Sequence, residues 1–119
     1  YSSNMKMNQQ TETPLEDAAK AFAALGSEQR LGVLRALVRS GPEGLSIGEL
    51  GEITSITGAT LTHHVKFLTQ AGLVVQTKKG RSIICAAVAY DMIENLSNFL
   101  LSECCADAKN SDHDHTVTP

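Results

Sequence analysis

The strongest constraint on the fold is a series of glycine- and serine-containing breaks that divide residues 15–72 into short helical segments. From Leu15 the apolar residues recur at helical spacing until Gly26, which is expected to cap the helix in a left-handed conformation. Ser27 then supplies an N-cap oxygen for a second helix, whose apolar stripe stops at Ser40. A chain of 119 residues is long enough for one domain, so these segments are expected to share one core.

Two further helical segments with a tight turn between them predict a helix-turn-helix. Ser46, followed three residues later by Glu49, forms a capping-box pattern that opens a short helix through Ile53. The pattern breaks before Thr57, which is expected to cap a fourth helix ending at Gly72. The apolar positions of that helix are Leu61, Val65 and Leu68. Two short helices joined in this way are typical of DNA-binding proteins.

A β-hairpin and a last helix complete the pattern. Residues 73–77 and 82–87 are β-prone, and a basic linker with Gly80 at its tip joins them. Asp91 and Glu94 are expected to box the start of the last helix, whose apolar stripe consists of Met92, Ile93, Leu96, Phe99 and Leu100. The predicted fold is mainly α with a β-hairpin wing (α+β), a winged helix-turn-helix.

The predicted DNA-binding and dimerisation domain spans residues 15–105. Residues 1–14 are polar and aperiodic and are expected to form a disordered tail, whose first four residues resemble a cloning remnant before Met5. Residues 106–119 are expected to form a second disordered tail. No apolar run approaches the roughly 18 residues of a membrane helix, and no secretory signal is apparent. The chain is therefore expected to be cytoplasmic, with no membrane partner.

Charge is distributed unevenly along the chain. The net charge is −3, yet all 13 acidic residues lie before Ile53 or after Ser82. The stretch between those residues contains four cations, Lys66, Lys78, Lys79 and Arg81. Such a stretch can be an ordinary solvated surface. Its coincidence with the predicted helix-turn-helix and wing favours a double-stranded DNA partner.

The fourth predicted helix offers an outward face that suits a major groove, because short polar side chains can read base edges there. Gly58 permits close backbone approach, whereas His64 is expected to be half-buried and hydrogen-bonded. The predicted DNA-binding residues of helix and wing are Thr57, Gly58, Thr60, Thr62, His63, Lys66, Lys78, Lys79 and Arg81.

A single copy of such a domain contacts one half-site, which rarely gives sufficient specificity. A homodimer on inverted-repeat operator DNA is therefore expected. The apolar stripe of the last helix and the alanine-rich first helix offer a symmetric pairing surface. The alternative is that both helices only close the core of a monomer.

Two segments resemble the ArsR/SmtB family, small dimeric winged-helix repressors that release DNA on binding a metal or metalloid. Residues 21–37 (AFAALGSEQRLGVLRAL) are similar to its opening helices, and residues 58–85 (GATLTHHVKFLTQAGLVVQTKKGRSIIC) to its recognition helix and wing. The resemblance covers residues 17–105 and implies base contacts by Gly58, Thr60, Thr62 and His63. The Cys-x-Cys pair of many members is absent, because Ser46 and Gly48 occupy those positions. The carboxylate and histidine quartet of zinc sensors is not matched either.

The three cysteines, Cys85, Cys104 and Cys105, look like the arrangement of members that sense trivalent arsenicals. Trivalent arsenic and antimony are thiophilic, so thiolates should hold them. Cys104 and Cys105 can both turn to one ion if the end of the last helix frays. Cys85 is either the third ligand or a small core hydrophobe. The expected inducers are As(III), methylarsenite, which needs only two thiols, and Sb(III); no permanently bound cofactor is expected.

Three alternatives remain for the thiols. They can form a redox or persulfide switch, for example through a Cys85–Cys104 bridge. His113 and His115 can join the adjacent pair in a zinc site. A thiol enzyme is the third, but no phosphate loop, Cys-x-x-Cys motif or Cys/His/Asp set accompanies the pair, so no enzymatic activity is predicted.

Overall fold

The computed structural model of the chain describes residues 14–109. Most of the two predicted tails, together with His113 and His115, lies outside the described residues. Within them the chain forms five helices and three short strands: α1 (Leu15–Ala24), α2 (Glu28–Ser40), β1 (Leu45–Ser46), α3 (Ile47–Thr54), α4 (Gly58–Gln70), β2 (Val74–Lys79), β3 (Ser82–Ala87) and α5 (Tyr90–Leu101). Helices α3 and α4 form the helix-turn-helix, and β2 and β3 form the wing. The winged helix-turn-helix prediction is confirmed.

Two helix starts follow directly from the sequence. The Ser27 hydroxyl oxygen accepts a hydrogen bond from the Arg30 amide (3.3 Å), which caps α2. At α3, the Ser46 hydroxyl oxygen accepts from the Glu49 amide (3.1 Å), and the Glu49 carboxylate accepts from the Ser46 amide (2.9 Å). Both predicted caps are confirmed, and each satisfies donors that the first helical turn leaves without partners.

Two other predicted starts were wrong in detail. Thr57 stands at the N-cap of α4, but its side chain makes no capping hydrogen bond. Helix α5 begins at Tyr90, with Ala89 at the N-cap. No side-chain capping hydrogen bond forms there, so the predicted capping box of Asp91 and Glu94 is absent. The physical reason is tertiary: the Tyr90 hydroxyl donates to the Val38 carbonyl (3.0 Å), which fixes the first turn against α2.

The end of α1 also differs from expectation, because Gly26 is not left-handed. The carbonyl of Ala24 accepts a hydrogen bond from the Arg30 side-chain Nε, and the Gly26 amide donates to the Ala23 carbonyl. Since these bonds already satisfy the last carbonyls of the helix, no left-handed cap is required.

The core lies between α2, the helix-turn-helix and the sheet. Leu37 of α2, Leu50 of α3 and Cys85 of β3 are completely buried. All three predicted inward positions of α4, namely Leu61, Val65 and Leu68, are buried as well. The register of α4 is therefore set by the core, and its polar residues face away from it.

The sheet has one strand more than predicted. Its order is β1-β3-β2, with both pairings antiparallel. Lys79 pairs with Ser82, so the wing turn contains only Gly80 and Arg81, and the two lysines belong to β2 rather than to the loop. Successive strand residues face opposite sides, so Lys78 and Lys79 point to different faces of the wing. None of the helices in residues 14–109 has the length and apolarity needed to cross a membrane.

Candidate DNA-binding surface and thiol pair

Helix α4 presents a polar face to solvent. The helical residues predicted to contact bases, Gly58, Thr60, Thr62 and His63, are all exposed, as are Thr57 before the helix and Lys66 further along it. This arrangement follows from the burial of Leu61, Val65 and Leu68 on the other side. An exposed helix with hydroxyls, an imidazole and one ammonium suits a major groove, where such groups contact base edges and phosphates.

The wing adds cations beside this helix. Lys78, Lys79 and Arg81 are all exposed. The Gln76 side-chain amide donates to the Thr69 hydroxyl (3.0 Å), which joins β2 to α4. No acidic residue lies between Ile53 and Ser82, so α4 and the wing themselves carry only positive charges.

His64 lies on the inner side of α4, as predicted. Its side chain is 8% exposed, and its Nε2 lies 2.9 Å from the Gln29 side-chain oxygen. If this contact is a hydrogen bond to that oxygen, Nε2 carries the proton. Burial lowers the pKa of His64, and the charges of Arg30 and His63 lower it further. A neutral His64 therefore joins the recognition helix to the first turn of α2.

A stack of side chains next to His63 was missed by the sequence analysis. The His63 ring packs edge-on against Phe67, with ring centroids 5.2 Å apart, and the Arg30 guanidinium lies 4.6 Å from the Phe67 centroid. The spacing of His63 and Phe67 places them on one helical face, which was visible in the sequence. The contact with Arg30 depends on how α2 crosses α4, which no local pattern reveals.

The adjacent cysteines lie just beyond α5. That helix ends at Leu101, and turns follow it; the Cys104 amide donates to the Leu101 carbonyl (3.0 Å). Cys105 has a left-handed backbone (φ 65°), which is uncommon for a residue with a side chain. The two Sγ atoms lie 3.6 Å apart. Cys104 is exposed and Cys105 is half-buried, so the pair is accessible from solvent.

The two thiols influence each other. The pKa of Cys105 is raised by partial burial, and its hydrogen bond and electrostatic interaction with Cys104 raise it further. A thiol next to a thiolate is harder to deprotonate, because the second negative charge is repelled.

Cys85 lies in a different environment from the adjacent pair. It is completely buried on the central strand β3, where it is paired with Leu45 and Gln76, and burial raises the pKa of its thiol. No three His, Cys, Asp or Glu side chains within residues 14–109 are grouped so that they could hold a metal. The structure of the single chain therefore does not gather the three predicted thiols into one site.

Helices α1 and α5 expose large apolar side chains at the edge of the domain. In α5, Leu96 is buried, whereas Met92, Leu100 and Leu101 are 57%, 68% and 67% exposed. Leu15 at the start of α1 is 73% exposed. The exposed apolar side chains of α5 make this helix a candidate interaction surface.

Comparisons with known proteins agree with this architecture. A helix-turn-helix domain family matches residues 25–77. The uncharacterized HTH-type transcriptional regulator YceK of Bacillus subtilis is 40% identical over 82 residues, 69% of this chain and 78% of the relative. The arsenical resistance operon repressor of the same organism is 32% identical over 95 residues, 78% of this chain and 84% of the relative.

A solved structure shows the same fold. The homodimeric winged helix-turn-helix DNA-binding domain Mb0332 of Mycobacterium bovis, described as a possible ArsR-family transcriptional regulator, superimposes with a TM-score of 0.62 at 17% identity. The match covers 95% of this chain and 97% of that domain. Together with the identity to the two curated relatives, this establishes that the chain belongs to the ArsR family of winged helix-turn-helix, DNA-binding transcriptional repressors.

Proposed function

We propose that the chain binds an inverted-repeat operator as a homodimer and releases it when a trivalent arsenical binds the thiols of Cys104 and Cys105. The observation that carries this proposal is the pair of accessible sulfurs 3.6 Å apart. The exposed α4 and wing residues, from Thr57 to Arg81, supply the DNA contacts. The curated relative named as an arsenical resistance operon repressor supports the choice of inducer.

The separation of the sulfurs suits two thiolates on one ion. Two sulfurs at about 2.3 Å from a tetrahedral centre are about 3.8 Å apart, and the narrower angle of a pyramidal centre brings them slightly closer. Each thiol proton leaves with an arsenic hydroxyl group as water, so two As–S bonds replace two As–O bonds. Soft thiolates hold As(III) and Sb(III) better than oxygen ligands do.

The number of thiols bears on the choice between inducers. Two thiolates complete the coordination of methylarsenite, whose third substituent is carbon. Inorganic arsenite has a third position, which Cys85 fills only if β3 opens; otherwise this position keeps a hydroxide. We therefore keep arsenite, methylarsenite and antimonite as inducers, with Cys85 as a conditional third ligand.

The link to DNA passes through the proposed dimer. The exposed side chains of α1 and α5 supply an apolar pairing surface, and the Mycobacterium bovis domain is described as homodimeric. Recognition helices of a dimer must fit half-sites about 34 Å apart, so a small change in dimer geometry misaligns one of them. Because the thiol pair directly follows α5, an arsenical bound there acts on the helix that sets this geometry.

The proposal is tested with a labelled duplex that the protein itself selects from a random-sequence library. Fluorescence anisotropy is measured during titration with arsenite, methylarsenite or zinc. We expect release by the two arsenicals but not by zinc. The double substitution Cys104→Ser and Cys105→Ser should leave the affinity for DNA unchanged and abolish release.

Cys85→Ser is the matched control, since it removes a buried thiol and keeps the accessible pair. If methylarsenite needs only that pair, Cys85→Ser still releases DNA with this inducer. Equal release from the double variant and from the unsubstituted chain would contradict the proposal. The redox and zinc alternatives stay predictions. For the redox alternative, the mass of the oxidised chain distinguishes a disulfide or a persulfide from a bound arsenical.

A further inference from the structure

We propose that the DNA-binding surface continues past the recognition helix, on the side away from the wing, to a cationic flank that binds the phosphate backbone. This flank consists of Arg30 from α2, which stacks on Phe67, and Lys20 from α1, which lines a cleft together with Phe67. The proposal rests on the DNA-binding function of the family and extends it to two cations outside the helix-turn-helix and the wing.

The flank and the wing lie on opposite sides of α4. The wing joins α4 through the bond between Gln76 and Thr69. Arg30 contacts α4 at Phe67, two residues earlier. Two residues correspond to about 200° around a helix axis, so the two contacts lie on opposite sides of α4. The recognition helix therefore has β2, the strand that carries Lys78 and Lys79, on one side and Arg30 on the other.

Two contacts hold the Arg30 side chain in place. Its Nε donates to the Ala24 carbonyl, and its guanidinium lies over the Phe67 ring at 4.6 Å from the centroid. The hydrogen bond to Ala24 uses only the Nε donor. The two terminal nitrogens take no part in that bond, and such nitrogens characteristically form paired hydrogen bonds to phosphate oxygens. A guanidinium fixed by stacking loses less conformational freedom on binding than a mobile one.

The flank is continuous with the exposed face of α4 that is proposed to contact bases. Phe67 is 42% exposed, an unusual position for a large aromatic ring, and its edge contact with His63 connects the flank to a predicted base-contacting residue. Four residues separate His63 from Phe67, about 6 Å along the helix axis. Phosphate contacts position a recognition helix on the duplex, and a cation next to a base-contacting residue is placed to make one.

Lys20 provides the second cation of the flank. It lines a cleft of about 370 Å³ between α1 and α4, together with Phe67 and Gln70. Glu28 does not neutralise this side: it lies about 200° around α2 from Arg30 and lines a separate groove with Arg35 and Arg39. Glu16 and Asp17 of α1 lie about one helical turn before Lys20, but neither lines the cleft. Lys20 is the charged side chain among the residues that line the cleft, and Arg30 is the charged side chain stacked on Phe67.

A purely structural role for Arg30, capping the end of α1, makes a different prediction. A cap affects the stability of the fold, whereas a phosphate contact affects the salt dependence of DNA binding. Each phosphate contact contributes about 0.9 to the slope of log association constant against log salt concentration. The experiment measures that slope for Arg30→Gln, Arg30→Lys and Lys20→Gln with the library-selected duplex and with a mixed-sequence duplex.

We expect Arg30→Gln and Lys20→Gln each to reduce the slope by about 0.9 on both duplexes, because phosphate contacts carry no base information. Arg30→Lys should keep the slope, since the charge remains. Arg39→Gln is the matched control: it removes one charge from the opposite face of α2, about 180° around the axis, and should leave the slope unchanged. Circular dichroism confirms that each variant is folded at the assay temperature.

An unchanged slope in folded Arg30→Gln, alongside a reduced slope in Lys79→Gln, would overturn the proposal while leaving wing binding intact. If Arg30→Gln does not fold, the test rests on Lys20→Gln. An unchanged salt slope in that variant would overturn the proposal that the flank binds phosphate. Failure of the unsubstituted chain to bind either duplex would instead contradict its DNA-binding function, which separates the two failures.

Discussion

His64 shows how a polar side chain is accommodated at the edge of the core. It bonds to Gln29 and lies near Arg30, whose charge, together with burial, lowers the pKa of the imidazole. Burying the neutral ring costs less than burying a cation, because a charged group loses more hydration. The neutral imidazole therefore packs α4 against α2 at a lower cost in free energy than the charged form would.

The free energy of unfolding should consequently fall on acidification because of His64. Its pKa in the folded chain lies below the unfolded value of 6.5, so the unfolded chain binds more protons in this range. Its contribution is complete above pH 6.5 and is lost as the pH falls from there through the folded pKa. In urea unfolding at a series of pH values, His64→Asn should show a smaller loss between pH 7 and pH 5 than the unsubstituted chain.

His63→Asn is the control for that measurement, since it removes the exposed neighbouring imidazole and should leave most of the pH dependence in place. Parallel pH profiles for His64→Asn and the unsubstituted chain would show that the buried imidazole is not responsible.

At the scale of residues, sequence periodicity was sufficient to predict which face of α4 is buried. Leu61, Val65 and Leu68 recur at helical spacing, and His64 adjoins them, so its inward position followed. The contact between Arg30 and Phe67 joins different helices and depends on their crossing, so it became visible only in the folded chain.

At the scale of elements, the short strand β1 depends on the glycine that precedes it. Gly44 has a φ of 78°, and a Cβ at this position would overlap the carbonyl oxygen of Cys85 on β3. The close approach of the two backbones allows Leu45 to pair with Cys85. A strand of two residues is too short to show an alternating pattern, so β1 was not predicted.

Gly44→Ala should therefore destabilise the fold more than Gly41→Ala. Gly41 is also left-handed (φ 87°), but it has open space around it, so its substitution carries only backbone strain of about 1 to 3 kcal/mol. Gly44→Ala adds a clash with the β3 backbone. Chemical denaturation measures both free energies of unfolding, and equal losses would refute the close-packing argument.

The wing can be tested as an element through Lys79. Lys79→Gln should reduce the salt slope of DNA binding by about 0.9, corresponding to one phosphate contact. Lys109→Gln, which removes an exposed charge beyond α5, serves as the control and should keep the slope. An unchanged slope in Lys79→Gln would remove this lysine from the interface.

Element boundaries were predicted well where caps are local and poorly where they depend on distant contacts. The capping box of Ser46 and Glu49 is complete within four residues, and it formed as expected. The start of α5 depends instead on the bond between Tyr90 and Val38, which are far apart in the chain.

At the scale of the whole molecule, the exposed apolar side chains of α5 predict the oligomeric state. Leu101→Glu places a charge on the proposed pairing surface, and because Leu101 is 67% exposed the chain itself should still fold. We expect analytical ultracentrifugation to show a shift from dimer to monomer, with an unchanged circular dichroism spectrum.

Ile53→Glu is the matched control, because Ile53 is 60% exposed and belongs to α3 rather than to α1 or α5. It should remain dimeric at the same protein concentration. Dimers of equal stability in both variants would place the pairing surface elsewhere.

The sequence predicted the order of the elements and which residues of α4 and the wing are exposed, because both depend on local periodicity. It did not settle which thiols act together. Cys104 and Cys105 are neighbours in the chain, whereas the relation of Cys85 to them depends on the burial of β3 and on the arrangement of two copies.

The central claim is that binding at the thiol pair and binding at the DNA site are coupled. Such coupling is reciprocal, because each ligand must change the affinity for the other by the same factor, and measuring both changes tests the claim most directly. Methylarsenite affinity is measured by calorimetry for the free repressor and for the repressor saturated with its selected duplex, and duplex affinity is measured with and without methylarsenite. Coupling of about 1 to 3 kcal/mol predicts that both affinities fall by one common factor, about 5- to 150-fold. Equal affinity of methylarsenite for the free and the DNA-bound repressor would contradict the account.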